Sequence, residues 1–313
     1  MASDTVKSFL QALQQSKLLS DHQWKAVRAL ARVGRKQAAG EEPDSSTPSG
    51  NATSGNDPSG SETSAGAAAS GSTGAGSASE LKQLVVKLID RKLLTSWQAA
   101  QLQKGQTGFV LGRYRLLFPI GKGGMGHVFK ADTFDSDEVV AVKVMARKLT
   151  ANESLVSRFR REIKASSRLD SQHVVKTLDA GRVGKVDFMV MEFVNGDQID
   201  DIANRHQRLP VGMACEMIRQ AAVGLQHAYE KQMVHRDIKP ANLIVNWNDD
   251  GLGTVKLMDM GLVLIMSEDD TQQQMTRTGQ VMGTPDYMSP EQGWDTTSVD
   301  IRGDIYSLGC SLF

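Results

Sequence analysis

His235-Arg236-Asp237-Ile238-Lys239-Pro240-Ala241-Asn242 is the stretch in which residue types and spacing most plainly carry chemistry. Asp237 can accept a proton from an attacking hydroxyl, or orient it. Lys239, two positions on, can neutralise charge on a phosphoryl group. Asn242 offers a neutral oxygen to a hard cation such as Mg²⁺, and Pro240 stiffens the turn. Seventeen residues past Asn242, Lys256-Leu257-Met258-Asp259-Met260-Gly261 sets an aspartate after an apolar strand and before a glycine. A carboxylate there can chelate a cation that bridges phosphates. Taken singly, either aspartate is more simply a turn or cap residue. Their order along the chain, together with two upstream features, gives the pattern its weight.

The first of these is Ile120-Gly121-Lys122-Gly123-Gly124-Met125-Gly126-His127-Val128, a glycine-rich turn between two strand-like runs. Glycines let backbone N–H groups approach phosphate oxygens unobstructed. The same spacing opens dinucleotide-binding folds, but those need a helix next. Here His127-Val128-Phe129-Lys130-Ala131 continues as strand. The second feature is Lys143, seventeen positions after Gly126 at the end of an apolar strand. The two-residue period puts it on the face opposite Val142 and Val144, where the glycine turn can fold over it. The plain alternative is an exposed lysine at a strand edge. Its ammonium needs an acid to hold it: Glu162 on the following helical stretch is the best candidate and Glu153 the alternative.

In this combination and order the strings resemble the eukaryotic-like serine/threonine protein kinases of bacteria, over residues 114–313. The resemblance implies an α+β, two-lobed kinase fold, with a β-rich N-lobe and a helical C-lobe lacking its last helices. It implies that ATP lies under Ile120, Gly121, Gly123, Gly124, Gly126 and Val128, against Ala141, with Lys143 paired to Glu162. Met191 is then the gatekeeper, and residues 192–194, with Glu192 and Val194, form the hinge that meets adenine through backbone groups. Asp237 becomes the catalytic base, Lys239 its neighbour at the γ-phosphate, and Asn242 and Asp259 the Mg²⁺ ligands. Lys239 and the string Gly283-Thr284-Pro285-Asp286-Tyr287 fit serine/threonine rather than tyrosine substrates, with Thr284 near Asp237 and Lys239.

A polar segment with Thr271, Thr276 and Thr278 separates Asp259 from Ser289-Pro290-Glu291. Its plain reading is a surface loop and its functional reading an activation loop. Arg236 suits a phosphothreonine because its fork binds phosphate oxygens bidentately. Thr276 or Thr278 is the expected phosphorylation site, with a second copy of the chain as the phosphorylating partner. The sequence departs from the family in three places. Met260 replaces a phenylalanine, and an adaptable apolar side chain can fill the same pocket. Ser289 replaces an alanine. The chain ends at Phe313, within the Asp304-Ile305-Tyr306-Ser307-Leu308-Gly309 helix. Asp304 can still brace the catalytic loop. The expected consequences are an apolar face left uncovered on that helix and Glu291 without an arginine partner, costing roughly 3–5 kcal/mol if buried. Lower stability and weaker activity than a full domain would follow.

The elements that position these residues are visible as shifts in composition. Residues 1–38 read as a small helical segment, with Val6, Phe9, Leu10 and Leu13 at helical spacing and Ser20 at an N-cap. Residues 39–79 are nearly all Ser, Gly, Thr, Ala, Pro and Asn, with five acids and no base, and read as a disordered linker. About forty such residues span roughly 35 Å. Residues 80–110 are helical again, and Lys92-Leu93-Leu94-Thr95 with Gln98 echoes Lys17-Leu18-Leu19-Ser20 with Gln23. The echo is either two generic helical hairpins or a repeated docking or dimerisation unit. From residue 114 short β-branched runs give way, after Gly212, to helical spacing.

Bulk properties narrow the alternatives. There are 36 basic and 36 acidic residues among 313, which argues against a general nucleic-acid or membrane-surface binder. Two cysteines in unrelated contexts give neither a disulfide framework nor a metal spacing. No membrane-length apolar run and no leader-like start is present, so the expected location is the cytoplasm and the expected partners are proteins with Ser/Thr hydroxyls. Two other readings stand beside an active kinase: a pseudokinase or nucleotide-binding scaffold, and a chain whose main business is its N-terminal helices.

Overall fold

The computed structural model describes residues 6–38, 73–123, 126–136, 138–150, 152–248, 253–260, 285–293 and 299–313. Two compact units divide the chain, residues 1–110 and 111–313.

In the first unit the helices are α1 (Val6–Ser16), α2 (Asp21–Ala38), α3 (Thr73–Asp90) and α4 (Ser96–Gln103). The echo in the sequence is an echo in structure. Each hairpin turns at a lysine in the left-handed region, Lys17 at φ 56° and Lys92 at φ 55°. Each then opens its second helix with a capping box. Ser20 Oγ accepts from Gln23 N at 3.3 Å while Gln23 Oε1 accepts from Ser20 N at 2.9 Å. Thr95 and Gln98 do the same at 3.1 and 2.8 Å. Both hairpins feed one core, with Phe9, Leu13, Leu18, Val27, Leu88 and Leu102 almost completely buried. Helix α3 starts at Thr73, seven residues inside the stretch read as linker. Side-chain burial, on which that boundary rested, understates small residues. Ala and Ser can lengthen an anchored helix through backbone hydrogen bonds alone. The rest of the linker, 39–72, lies outside the described residues.

Apart from Val110, the second unit holds a sheet in the order β1-β2-β3-β4-β6-β5. Its strands are β1 (Val110–Leu111), β2 (Tyr114–Gly123), β3 (Gly126–Thr133), β4 (Val139–Met145), β5 (Thr177–Val183) and β6 (Val186–Glu192). Helices α5 (Arg147–Thr150) and α6 (Glu153–Ser166) cross over between β4 and β5. Phe159 and Ile163 of α6 pack on Ala141, Met145, Met189 and Met191. At the start of β3 Gly126 has φ 145°, and a Cβ there would collide with the Val144 carbonyl oxygen. No other residue fits that position.

The helical part follows. It contains a second sheet, β7 (Asp197–Gln198), β8 (Leu243–Trp247) and β9 (Gly253–Leu257) in that order, with α7 (Ile199–His206), α8 (Val211–Glu230) and α9 (Ile301–Leu312). Its core joins Met217, Ala221 and Leu225 of α8 to Leu243, Val245, Val255 and Leu257 of the sheet and Leu308 of α9. This is the α+β, two-lobed arrangement expected. Met260 is buried in that core, so methionine does occupy an apolar pocket after Asp259. Glu291 is exposed, so the burial cost expected for it does not arise. Ile305, Tyr306 and Leu312 of α9 are exposed, as expected of its apolar face.

Candidate active site

The catalytic string is held from behind by α9. Asp304, 1 % exposed, accepts from the backbone N–H groups of His235 and Arg236, each at 2.7 Å. Burial pushes its carboxyl above the ordinary value, opposed by His235 and by those two donors. His235 is itself fully buried. Its Nδ1 accepts from Asp237 N at 3.3 Å, so Nε2 carries the proton and donates to the Met258 carbonyl at 2.8 Å. A second link runs from Met258 N to the Asn242 carbonyl at 2.9 Å. The loop and the end of β9 are therefore tied together at Met258, the residue before Asp259.

Side chains close the arrangement. Lys239 Nζ lies 3.0 and 2.9 Å from the two Asp237 carboxylate oxygens. Asn242 Nδ2 donates to the Asp237 carbonyl at 2.7 Å and to Asp237 Oδ2 at 2.8 Å. That orientation turns the Asn242 amide oxygen away, accepting from no described residue. Asp259 sits at φ 57°, and its Oδ1 lies 2.7 Å from Lys143 Nζ. The Lys143 side chain is 8 % exposed and that of Asp259 35 % exposed. A lysine so buried needs a counter-charge, and Asp259 provides one. Lys143 and Asp259, far apart in sequence, therefore meet directly. Glu162 lies on α6, but its side chain is outside the described residues, so its expected pairing with Lys143 is too. The sequence places Lys143 and Asp259 around one triphosphate, but their direct ion pair was missed, because only acids on the next helix were weighed as partners for Lys143.

The other expected residues fall on the same sheet face. Directly paired residues on neighbouring strands share a face. Gly121 opposes Val128, Val128 opposes Lys143, and Lys143 opposes Met189. Ala141 opposes Met191, both buried. Ile120 is 45 % exposed at the mouth. A Cβ at Gly123 would meet nothing within 4 Å, and one at Gly121 only Val128 at ordinary contact distance. The protein's own packing therefore does not require glycine at these two positions. Glu192 spends its carboxylate on Lys256 Nζ and Lys176 N, both at 2.8 Å. The Val194 N–H donates to no described residue. Gly124, Thr271, Thr276, Thr278, Gly283 and Thr284 lie outside the described residues.

Arg236 is the unsatisfied group of the site. Its Nε and Nη1 are buried without a partner among the described residues, and Nη2 reaches the Val299 carbonyl only at 3.5 Å. A buried guanidinium so poorly paired is costly unless an anion completes it. Among the described residues no three His, Cys, Asp or Glu side chains form a metal cluster. The oxygens of Asn242 and Asp259 suit a hard cation that takes its remaining oxygens from phosphate and water.

A two-lobed fold with this site defines a phosphoryl-transfer class of protein, and comparison with known proteins agrees. The protein kinase domain model matches residues 114–313, and the chain belongs to the protein kinase family. It is 41% identical over 201 residues to the serine/threonine-protein kinase PknA of Corynebacterium glutamicum, covering 63% of this chain and 41% of that one. It is 33% identical over 204 residues to PrkC of Bacillus subtilis, covering 65% and 30%. The kinase domain of Mycobacterium tuberculosis PknI superposes with a TM-score of 0.52 at 25% identity, covering 66% of this chain and 75% of that one. The chain spans about two-fifths or less of the length of these curated relatives.

Proposed function

We propose that the chain is a serine/threonine protein kinase, transferring the γ-phosphoryl group of ATP to Ser or Thr hydroxyls of proteins. The observation that carries this is the ion pair of Lys143 with Asp259, whose neighbour Met258 is hydrogen-bonded to Asn242, which in turn donates to Asp237. Lys143 binds the α- and β-phosphates beneath Gly121, Gly123, Gly124 and Gly126. Asp237 orients the acceptor hydroxyl and takes its proton as oxygen attacks the γ-phosphorus and the bond to the β-phosphate breaks. Lys239, already on Asp237, faces the transferring group and offsets its charge. Asn242 and Asp259 would hold Mg²⁺, which supplies charge neutralisation on the phosphates. Ala141, Val128 and Met191 line the adenine side, and the backbone at Glu192 and Val194 reads the base.

The orphaned nitrogens of Arg236 support phosphorylation of Thr276 or Thr278 by a second copy, because a phosphothreonine would complete them. Dependence on ATP and two free cysteines suit the cytoplasm. Transfer of radiolabel from γ-labelled ATP to a general protein acceptor tests the assignment. Asp237→Ala should reduce incorporation about 10²–10⁴-fold without loss of folding. Equal incorporation by wild type and variant would refute it.

A further inference from the structure

Lys130 belongs to none of the roles above, yet it is held between two rings. Its Nζ lies 4.3 Å from the Phe193 ring centroid and 5.7 Å from that of Phe118. Phe118 opposes Lys130 across β2 and β3, and Lys130 opposes Ala141 across β3 and β4. Ala141 in turn opposes Met191. One cross-strand row therefore runs from the glycine-rich hairpin to the gatekeeper, and Phe193 stands two residues further on, in the hinge. Phe118 is 39 % exposed and Phe193 partly buried against the sheet-and-α6 core. The sheet ladder joins β3 to the hinge only through two intervening strands. The ammonium between the rings joins them directly.

We propose that Lys130 is a positioning residue for nucleotide binding, clamping the glycine-rich hairpin to the hinge through Phe118 and Phe193. This rests on the kinase reading of the site. A cation over an aromatic face is attracted by the ring quadrupole, and more strongly where water is partly excluded. Pre-setting the height of the hairpin above the hinge removes an ordering cost that ATP would otherwise meet on binding. The clamp acts on affinity rather than on phosphoryl transfer, because Lys130 touches none of the residues around Asp237.

The test uses the full chain with Lys130→Met, which keeps the apolar stem, and Lys130→Arg, which keeps the cation. Titration with a fluorescent ATP analogue should show Lys130→Met weakened by a factor of about 2–30 and Lys130→Arg near wild type. KM for ATP should rise in Lys130→Met while kcat stays within about twofold of wild type. Amide hydrogen exchange at residues 192–196 of the nucleotide-free protein should quicken in Lys130→Met and in Phe193→Leu. The double variant should add little to either. Unchanged affinity and unchanged hinge exchange in Lys130→Met would overturn the clamp. Wild type that fails to bind the analogue would overturn the nucleotide reading instead, and hinge exchange would still decide whether Lys130 holds the hinge.

Discussion

Asp304 shows how a single buried residue sets the catalytic loop. Its two carboxylate oxygens satisfy consecutive backbone N–H groups that would otherwise be buried and unpaired. Asp304→Ala orphans both, at about 1–3 kcal/mol each, and should lower stability by roughly 2–5 kcal/mol in chemical denaturation. A loss under about 1 kcal/mol would show that water or a shifted loop replaces the carboxylate. The same residue has a pH signature of unusual sign. Burial raises its folded value above the ordinary 3.8. Between those two values the folded chain keeps a proton that the unfolded chain has lost, so its contribution to stability falls as pH rises and then levels off. Wild type minus Asp304→Asn, measured by denaturation across that window, should show this slope. A difference that rises with pH would contradict it.

Much of the residue scale was legible because it is local. The string from His235 to Asn242 is contiguous, so the chemistry proposed for it could be read from type and spacing alone. Lys143–Asp259 was not, since it joins residues far apart in sequence whose meeting depends on how two parts of the fold face each other. Lys130 with Phe118 and Phe193 was not legible either. Cross-strand register and a hinge position decide that contact, and neither is written in a local string.

At the scale of elements, α6 is fastened to the sheet by an ion pair with no local sequence signature. Asp187 is fully buried on β6, and Arg160 Nη2 of α6 donates to its Oδ1 at 2.9 Å. Arg182 Nε approaches Oδ2 at 3.6 Å without hydrogen-bonding it. The available clue was an aspartate inside the apolar run Val186-Asp187-Phe188-Met189-Val190, which implies a buried charge in need of a partner. Arg160→Ala strands that carboxylate. Because Arg160 is half exposed and Arg182 remains, the expected loss is about 2–4 kcal/mol, below the full cost of an orphaned buried charge. The paired replacement Arg160→Met with Asp187→Leu should recover most of it, as thermal melts can check. A double variant no better than Arg160→Ala would mean that the site is held by packing. The helical hairpins of the first unit were more legible. Hydroxyl cap, glutamine three residues on and the apolar period are short-range signals, and both hairpins carry them. Only the start of α3 escaped, because Ala, Gly and Ser carry no burial pattern.

For the whole molecule, the two-lobed architecture followed from motif order and not from composition. Equal numbers of acids and bases and an ordinary apolar fraction fit many folds. The order of glycine turn, strand lysine, catalytic string and metal-type aspartate fits one. The second unit brings the strand lysine to the metal-type aspartate and ties the catalytic string to the small sheet and to α9. Equilibrium dialysis with ATP, with and without Mg²⁺, tests that assembly most directly. Wild type should bind ATP more tightly when Mg²⁺ is present. Asp259→Asn should lose most of that enhancement, and Lys143→Met should weaken binding in both conditions. If Asp259→Asn responds to Mg²⁺ as wild type does, and Lys143→Met binds ATP unchanged, the two side chains do not meet at a triphosphate and the account fails.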